Sequence, residues 1–240
     1  MISKFEDRRD AGRQLAKVLK DYRRVAGLLV FGLPRGGVVV AYEVAEALNV
    51  PLEVFIVRKL GVPWQKELAM GALAEGGASV INQDVVAACG VTEEIISQVI
   101  EEEKNEIARR AKIYRGRSPL PVIRGREIIL IDDGLATGAT VLAAVKALKR
   151  KNPLGIILAV PVGGRETCQE VRQEVDEVIC LLSPESFNAV GNWYEHFDQV
   201  TDEEVVDLLA RSQSKRQPDG MLLENEGRKK GKIAYRRLQP

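Results

Sequence analysis

The sequence predicts a doubly wound α/β domain: a parallel sheet with helices on both faces. Three observations carry this. Short apolar runs alternate with segments of helical spacing along most of the chain. The runs are continuously apolar, as in strands buried on both faces, where a half-exposed strand would alternate. Loops of small residues at the ends of two runs open directly into helices.

The elements follow in order. Residues 5–25 place Phe5, Leu15, Val18, Leu19 and Tyr22 at helical spacing, an amphipathic opening helix. Residues 28–33 are an apolar strand, broken by Pro34-Arg35-Gly36-Gly37. Helical spacing resumes at Val38 and stops after Leu48, at Asn49 and Pro51. A second strand covers 52–57. Residues 58–67 are charged, contain Gly61 and Pro63, and cannot form a core strand. Extended stretches at 68–73 and 78–81 flank Glu75-Gly76-Gly77 as a hairpin. Thr92, followed by Glu93 and Glu94, starts a long helix to about Tyr114, because acids favour the positive N-terminal end. Strands at 127–131, 155–160 and 178–182 then alternate with helices at 139–151 and 166–175. Thr201-Asp202-Glu203-Glu204 is a capping box for a closing helix to about Ala210.

Composition narrows the chemistry. The 240 residues carry 35 basic and 34 acidic side chains, a net charge of +1, and 45% are hydrophobic, which suits a globular chain. No apolar run reaches the roughly 18 residues of a membrane span, and the charged N-terminus lacks the apolar core of a secretory signal. Cys89, Cys168 and Cys180 are widely spaced and read as small thiols in a reducing cytoplasm. With His196 the single histidine, neither a zinc cluster nor a Ser-His-Asp hydrolase is supported. Residues 211–240 hold nine basic and three acidic residues, a balance of +6 that leaves −5 for the other 210. They form a basic tail, expected to be disordered, after a domain spanning 1–210.

The most informative segment runs from Ile128 to Thr140. An apolar strand delivers Asp132 and Asp133 to its C-terminal edge, and Gly134-Leu135-Ala136-Thr137-Gly138-Ala139-Thr140 opens a helix. Free N–H groups and the helix dipole at that point favour an anion such as phosphate. Glycines permit close approach, and Thr137 and Thr140 add hydroxyl donors. Two carboxylates would repel a bare phosphate, but they suit a ligand with hydroxyls beside its phosphate, as in a ribose phosphate. No lysine follows Gly138, so this is not a P-loop, and no G-x-G-x-x-G dinucleotide fingerprint is present.

The segment resembles the phosphoribosyl-pyrophosphate motif of type I phosphoribosyltransferases. The wider chain, over about residues 5–210, is similar to a bacterial group of stand-alone phosphoribosyltransferase-domain proteins. It shares Leu33-Pro34-Arg35-Gly36-Gly37, Val57-Arg58-Lys59 and Ala189-Val190-Gly191-x-Trp193-Tyr194 with them. The resemblance implies a transferase of nucleotide metabolism that moves a phosphoribosyl group to a nitrogen nucleophile such as a nucleobase and releases pyrophosphate. It implies Asp132, Asp133, Arg35 and Lys59 as catalytic. Arg35, Gly36 and Gly37 would form the pyrophosphate loop, with Arg58 and Lys59 contacting pyrophosphate from a strand end at the same edge. Residues 60–77 would be a flexible flap. Trp193 and Tyr194 would belong to a small hood over the acceptor, where aromatics can stack on a base. Mg²⁺ carried by the donor is implied near Asp132 and Asp133, and a homodimer by analogy.

Two rivals share the fold. One is a regulator that senses phosphoribosyl pyrophosphate and contacts nucleic acid through its basic tail, although no helix-turn-helix is visible and Tyr235 is the tail's only aromatic. The other is a phosphatase or nucleotide hydrolase with an acid as nucleophile.

Overall fold

The computed structural model describes residues 4–214. The expected basic tail lies, from residue 215 onward, outside the described residues. Helix α1 spans Arg8–Val18, with the Asp7 side chain capping it by accepting from the Asp10 N–H. A 3-10 turn, Lys20–Arg24, follows. The opening helix is therefore shorter than the spacing predicts. Phe5 precedes the cap, and its backbone N–H donates to the Trp193 carbonyl at 2.9 Å.

Strand β1, Leu29–Gly32, leads into α2, Gly36–Leu48, which returns to β2, Leu52–Val54. Next come β3, Val57–Val62, β4, Gln65–Ala74, and β5, Ser79–Ile81, which form a separate antiparallel sheet in the order β3-β4-β5. The expected strand 52–57 is thus two elements, and 58–67 is largely strand. Charges are tolerated there because only one face is buried. Leu60 and Val62 are enclosed while Lys59 is exposed. The expected turn at Glu75-Gly76-Gly77 is present, with Gly76 and Gly77 at φ +92° and +82°, in the left-handed region.

Helix α3, Gln83–Cys89, is absent from the sequence reading, although the Asn82 cap and the left-handed Gly90 bound it clearly. Helix α4, Glu93–Arg115, starts at the Thr92 cap as expected. Then β6, Glu127–Ile131, α5, Ala139–Lys149, β7, Gly155–Val162, α6, Arg165–Arg172, and β8, Glu177–Leu182, alternate as the apolar runs predict. The closing helix α7, Asp202–Ser214, extends past Ala210, with Ser212 buried and Arg211, Gln213 and Ser214 exposed.

The main sheet is parallel throughout, in the order β2-β1-β6-β7-β8. Side chains of its central strands alternate between two cores. Val30, Ile129 and Ile131 meet Val40 and Val44 of α2 on one face, while Phe31, Ile128 and Leu130 meet Val141 and Val145 of α5 on the other. A third cluster joins Phe5, Ala11 and Val162 to Tyr194, near the end of β7.

Candidate active site

β1 and β6 are neighbours, yet the chain leaves them in opposite directions. After β1 it crosses one face to β2, and after β6 it crosses the other to β7. The two connecting loops therefore part above the sheet edge and leave a crevice, the place where open α/β sheets bind ligands. Gly32 pairs in register with Ile131, and the Leu33 N–H donates to the Ile131 carbonyl at 2.9 Å.

A cleft of about 470 Å³ occupies this crevice. Its lining comprises Pro34, Arg35 and Gly36 from the loop after β1, Asp132, Asp133 and Thr140 from the segment after β6, and Phe197, Asp198, Gln199 and Val200 together with Arg8. The structure thus brings Arg35 and Asp133, far apart in sequence, to one space. Gly36 and Gly37 are required by the close approach of the two loops. A Cβ on Gly37 would stand 2.8 Å from the Asp132 Cα and the Ile131 carbonyl oxygen, and one on Gly36 would collide with the Asp133 carboxylate.

The 134–140 loop is fastened from below. The Leu135 N–H donates to the Val162 carbonyl at 2.8 Å, and the Gly164 N–H donates to the Leu135 carbonyl at 3.2 Å. The Thr167 hydroxyl donates to the Ala136 carbonyl at 2.8 Å. Gly138, at φ +73°, makes the turn into α5, whose first N–H groups have no partner within the helix. Leu135 is buried and anchors the loop, whereas Ala136 and Thr137 are exposed and Ala139 is half-buried. This arrangement suits an anion held by backbone N–H groups with hydroxyls from Thr137 and Thr140.

The two acids differ. Asp132 accepts from the Asp133 N–H at 2.9 Å. Burial first, and the neighbouring Asp133 charge second, push its carboxyl well above the ordinary carboxylate range. Asp133 instead has a cation: Arg8 Nε lies 2.7 Å from its Oδ2. Arg8 also donates through Nη1 to the Asp198 carbonyl at 2.7 Å and lies over the Phe197 ring, 3.8 Å from the centroid. Sequence reasoning missed Arg8, since Glu6-Asp7-Arg8-Arg9-Asp10 reads as a solvated charged run.

Other expected site residues fall elsewhere. Arg58 and Lys59 do not end a strand of the main sheet. They belong to β3, and Arg58 Nε pairs with Glu103 of α4 at 2.7 Å, while Lys59 is exposed. Tyr194 is buried, and its hydroxyl donates to the Asp133 carbonyl at 2.5 Å. Burial, then the charge of Asp133, pushes its phenol upward, so it stays a donor. Its ring lies between Phe5 and Phe197, at centroid distances of 5.5 and 5.0 Å. Trp193, in the 3-10 turn Val190–Trp193, is half-buried against the same cluster. Tyr194 thus buttresses the acid loop, and the aromatic in the cleft wall is Phe197, 38% exposed. His196 is exposed, and its backbone N–H donates to the Glu6 carbonyl.

A parallel sheet whose switch point carries a helix start, two acids and an arginine defines a doubly wound α/β domain with a polar cleft at its carboxyl edge. Residues 3–196 match the family model described as a phosphoribosyl transferase domain, and the chain belongs to that family. It is 45% identical over 209 residues to "Putative phosphoribosyl transferase Rv0571c" of Mycobacterium tuberculosis strain H37Rv, and equally to the protein MT0597 of strain CDC 1551, which bears the same description. The alignment takes in 87% of this chain and 47% of each relative, so the chain spans about half the length of these relatives. Among solved structures, TT1426 from Thermus thermophilus is 38% identical with a TM-score of 0.72, covering 87% of this chain and 98% of that one. Among the described residues, no helix is long and apolar enough to cross a membrane.

Proposed function

We propose that the cleft takes phosphoribosyl pyrophosphate and that the chain transfers its phosphoribosyl group to a nitrogen nucleophile, a nucleobase being the favoured acceptor. The observation that carries this is the convergence of Arg35 and Asp133 on one cleft at the switch point. The cleft volume, about 470 Å³, lies within the range of small-molecule sites.

The N–H groups at the start of α5, with Thr137 and Thr140, hold the 5-phosphate. Asp132 and Asp133 accept from the ribose hydroxyls. Arg35 and the N–H groups at the start of α2 hold the pyrophosphate, and Lys59 reaches it when the β3–β4 hairpin folds toward the cleft. In the reaction the bond from C1 to the pyrophosphate oxygen breaks with its electron pair leaving on pyrophosphate. A bond from C1 to nitrogen forms, and the proton of the acceptor nitrogen passes to the departing pyrophosphate or to water. Positive charge develops on the ribose, beside two carboxylates, and negative charge on the leaving group, beside Arg35. Preorganised charges of this kind supply most of the rate. Enclosure by the hairpin keeps water from capturing the sugar.

Among the described residues no group of three ligating side chains could hold a metal, but two adjacent carboxylates fit an ion carried by the substrate. Asp132 and Asp133 would face that Mg²⁺, which neutralises charge on the pyrophosphate. The test is calorimetric titration with phosphoribosyl pyrophosphate and Mg²⁺, followed by pyrophosphate release with a panel of purine and pyrimidine bases. Donor binding with base-dependent release is expected. No donor binding at millimolar concentration overturns the reading, and binding without release for any base favours a sensor.

A further inference from the structure

We propose that Arg8 is a positioning residue that couples the two ends of the cleft, fixing the Asp133 carboxylate for the donor and the Phe197–Asp198 wall for the acceptor with one guanidinium. The assignment to donor and acceptor rests on the reading above. The tie itself is geometric.

Arg8 is the first residue of α1, a helix otherwise absent from the cleft lining. Its side chain is 11% exposed and reaches partners 125 and 190 positions away, Asp133 and the Asp198 carbonyl, both at 2.7 Å. The guanidinium carbon of the same group sits 3.8 Å above the Phe197 ring centroid. Only a planar fork can do all three. A lysine ammonium offers a point charge and cannot stack in the same way.

The helix is a rigid arm. Ala11 and Leu15 are fully buried, and Gly12 packs so tightly that a Cβ would stand 2.7 Å from the Val40 carbonyl oxygen. Gly12 lies against Val40 and Arg8 against Gly36, so α1 and α2 run in the same direction and both present their N-termini to the cleft. Arg8 therefore sits where the helix dipole disfavours a cation. A residue that conflicts with its local position yet is held by three distant contacts points to a demand from the site and not from the helix.

The arrangement also answers the charge problem of the cleft. A polyanionic donor must approach two adjacent acids, and Arg8 offsets Asp133 while leaving the carboxylate able to accept from a hydroxyl. Because the same guanidinium carries the wall at Phe197 and Asp198, displacement of one end is felt at the other.

The test uses the full chain as wild type, Arg8→Gln, Arg8→Lys and Phe197→Leu. Two quantities are read: hydrogen–deuterium exchange over residues 133–136 and 195–200 without ligand, and the dissociation constant for phosphoribosyl pyrophosphate with Mg²⁺. Arg8→Gln is expected to raise exchange in both segments and to weaken donor binding by about tenfold or more, the size of a lost charge-assisted hydrogen bond. Arg8→Lys is expected to restore donor binding to within about threefold while exchange at 195–200 stays raised, since the ammonium keeps the charge but loses the fork. Phe197→Leu, which leaves every charge in place, should raise exchange at 133–136. Arg8→Gln raising exchange in one segment only, Phe197→Leu leaving exchange at 133–136 unchanged, or Arg8→Lys failing to rescue donor binding overturns the coupling. Should Arg8→Gln fail to fold, Arg8→Lys and Phe197→Leu decide. If wild type does not bind the donor, the transferase reading fails, and the exchange pattern alone still decides whether Arg8 ties the two ends.

Discussion

Two pairs of consecutive charges follow apolar runs in this chain, Asp132-Asp133 and Arg58-Lys59, and the fold treats them in opposite ways. Asp132 and Asp133 lie where a parallel strand has ended and the chain must turn, so both side chains stay at the sheet edge and line the cleft. Arg58 and Lys59 lie inside an antiparallel strand, where successive side chains point to opposite faces. One therefore meets Glu103 and the other meets solvent. A charge after an apolar run marks a boundary, but only the sheet the strand joins decides whether that boundary is a binding edge.

The comparison breaks first at Asp133. Asp133→Ala removes the proposed ribose-facing acceptor and leaves the guanidinium of Arg8, 11% exposed, without its carboxylate. Pyrophosphate release per unit donor should fall by about 10²–10³-fold, as for loss of a preorganised charged group. A loss below tenfold would place the sugar elsewhere. Next in size is Gly36→Ala, whose new Cβ would land on the Asp133 carboxylate. It should weaken donor binding by about tenfold to a hundredfold by calorimetry, with a displacement of the Asp133 side chain visible in a crystal structure.

How far the sequence made this visible follows from the same contrast. The parallel strands, the Thr92 cap and the 132–140 loop are local patterns, each written within a few residues. The loop's chemistry is legible because strand, acids, glycines and hydroxyls are contiguous. Gly36 and Gly37 are readable as a turn, but their reason is a loop about a hundred residues away. Arg8 is not legible at all, because its role exists only once α1 and the segment after Tyr194 meet at β6. The choice of Trp193 and Tyr194 as ligand-facing follows the clustering of aromatics, and for Tyr194 burial beside Phe5 turns the ring into the core.

Asp132 offers a smaller effect with a definite sign. Its carboxyl titrates above the ordinary range in the folded protein, so the native state binds a proton that the unfolded chain has already released. Stability should therefore fall as pH rises from the usual carboxylate value through the raised one. Asp132→Asn keeps an oxygen for the Asp133 N–H and cannot ionise. Its melting temperature should exceed that of wild type at pH 7.5. The difference should shrink as pH falls below the ordinary carboxylate value, where wild type becomes protonated in both states, even as donor binding weakens. Equal melting curves at pH 7.5 would mean that Asp132 is ordinarily ionised in the empty cleft.

The smallest effects belong to the hairpin pair, and they separate Arg58 from Lys59. The Arg58–Glu103 pair is partly exposed, at 30% and 21%, so Arg58→Gln should cost no more than about 1 kcal/mol in denaturant unfolding. With its guanidinium committed to α4, donor affinity should stay within about threefold of wild type. Lys59 has a different profile if the hairpin carries it to the leaving group. Lys59→Gln should leave the donor dissociation constant nearly unchanged and lower kcat by about tenfold, because a contact made only as the site closes is felt in the transition state and not in the resting complex. If Arg58→Gln instead weakened donor binding as much as Asp133→Ala, β3 would have to swing its whole face into the cleft, and the division between edge and hairpin charges would fall.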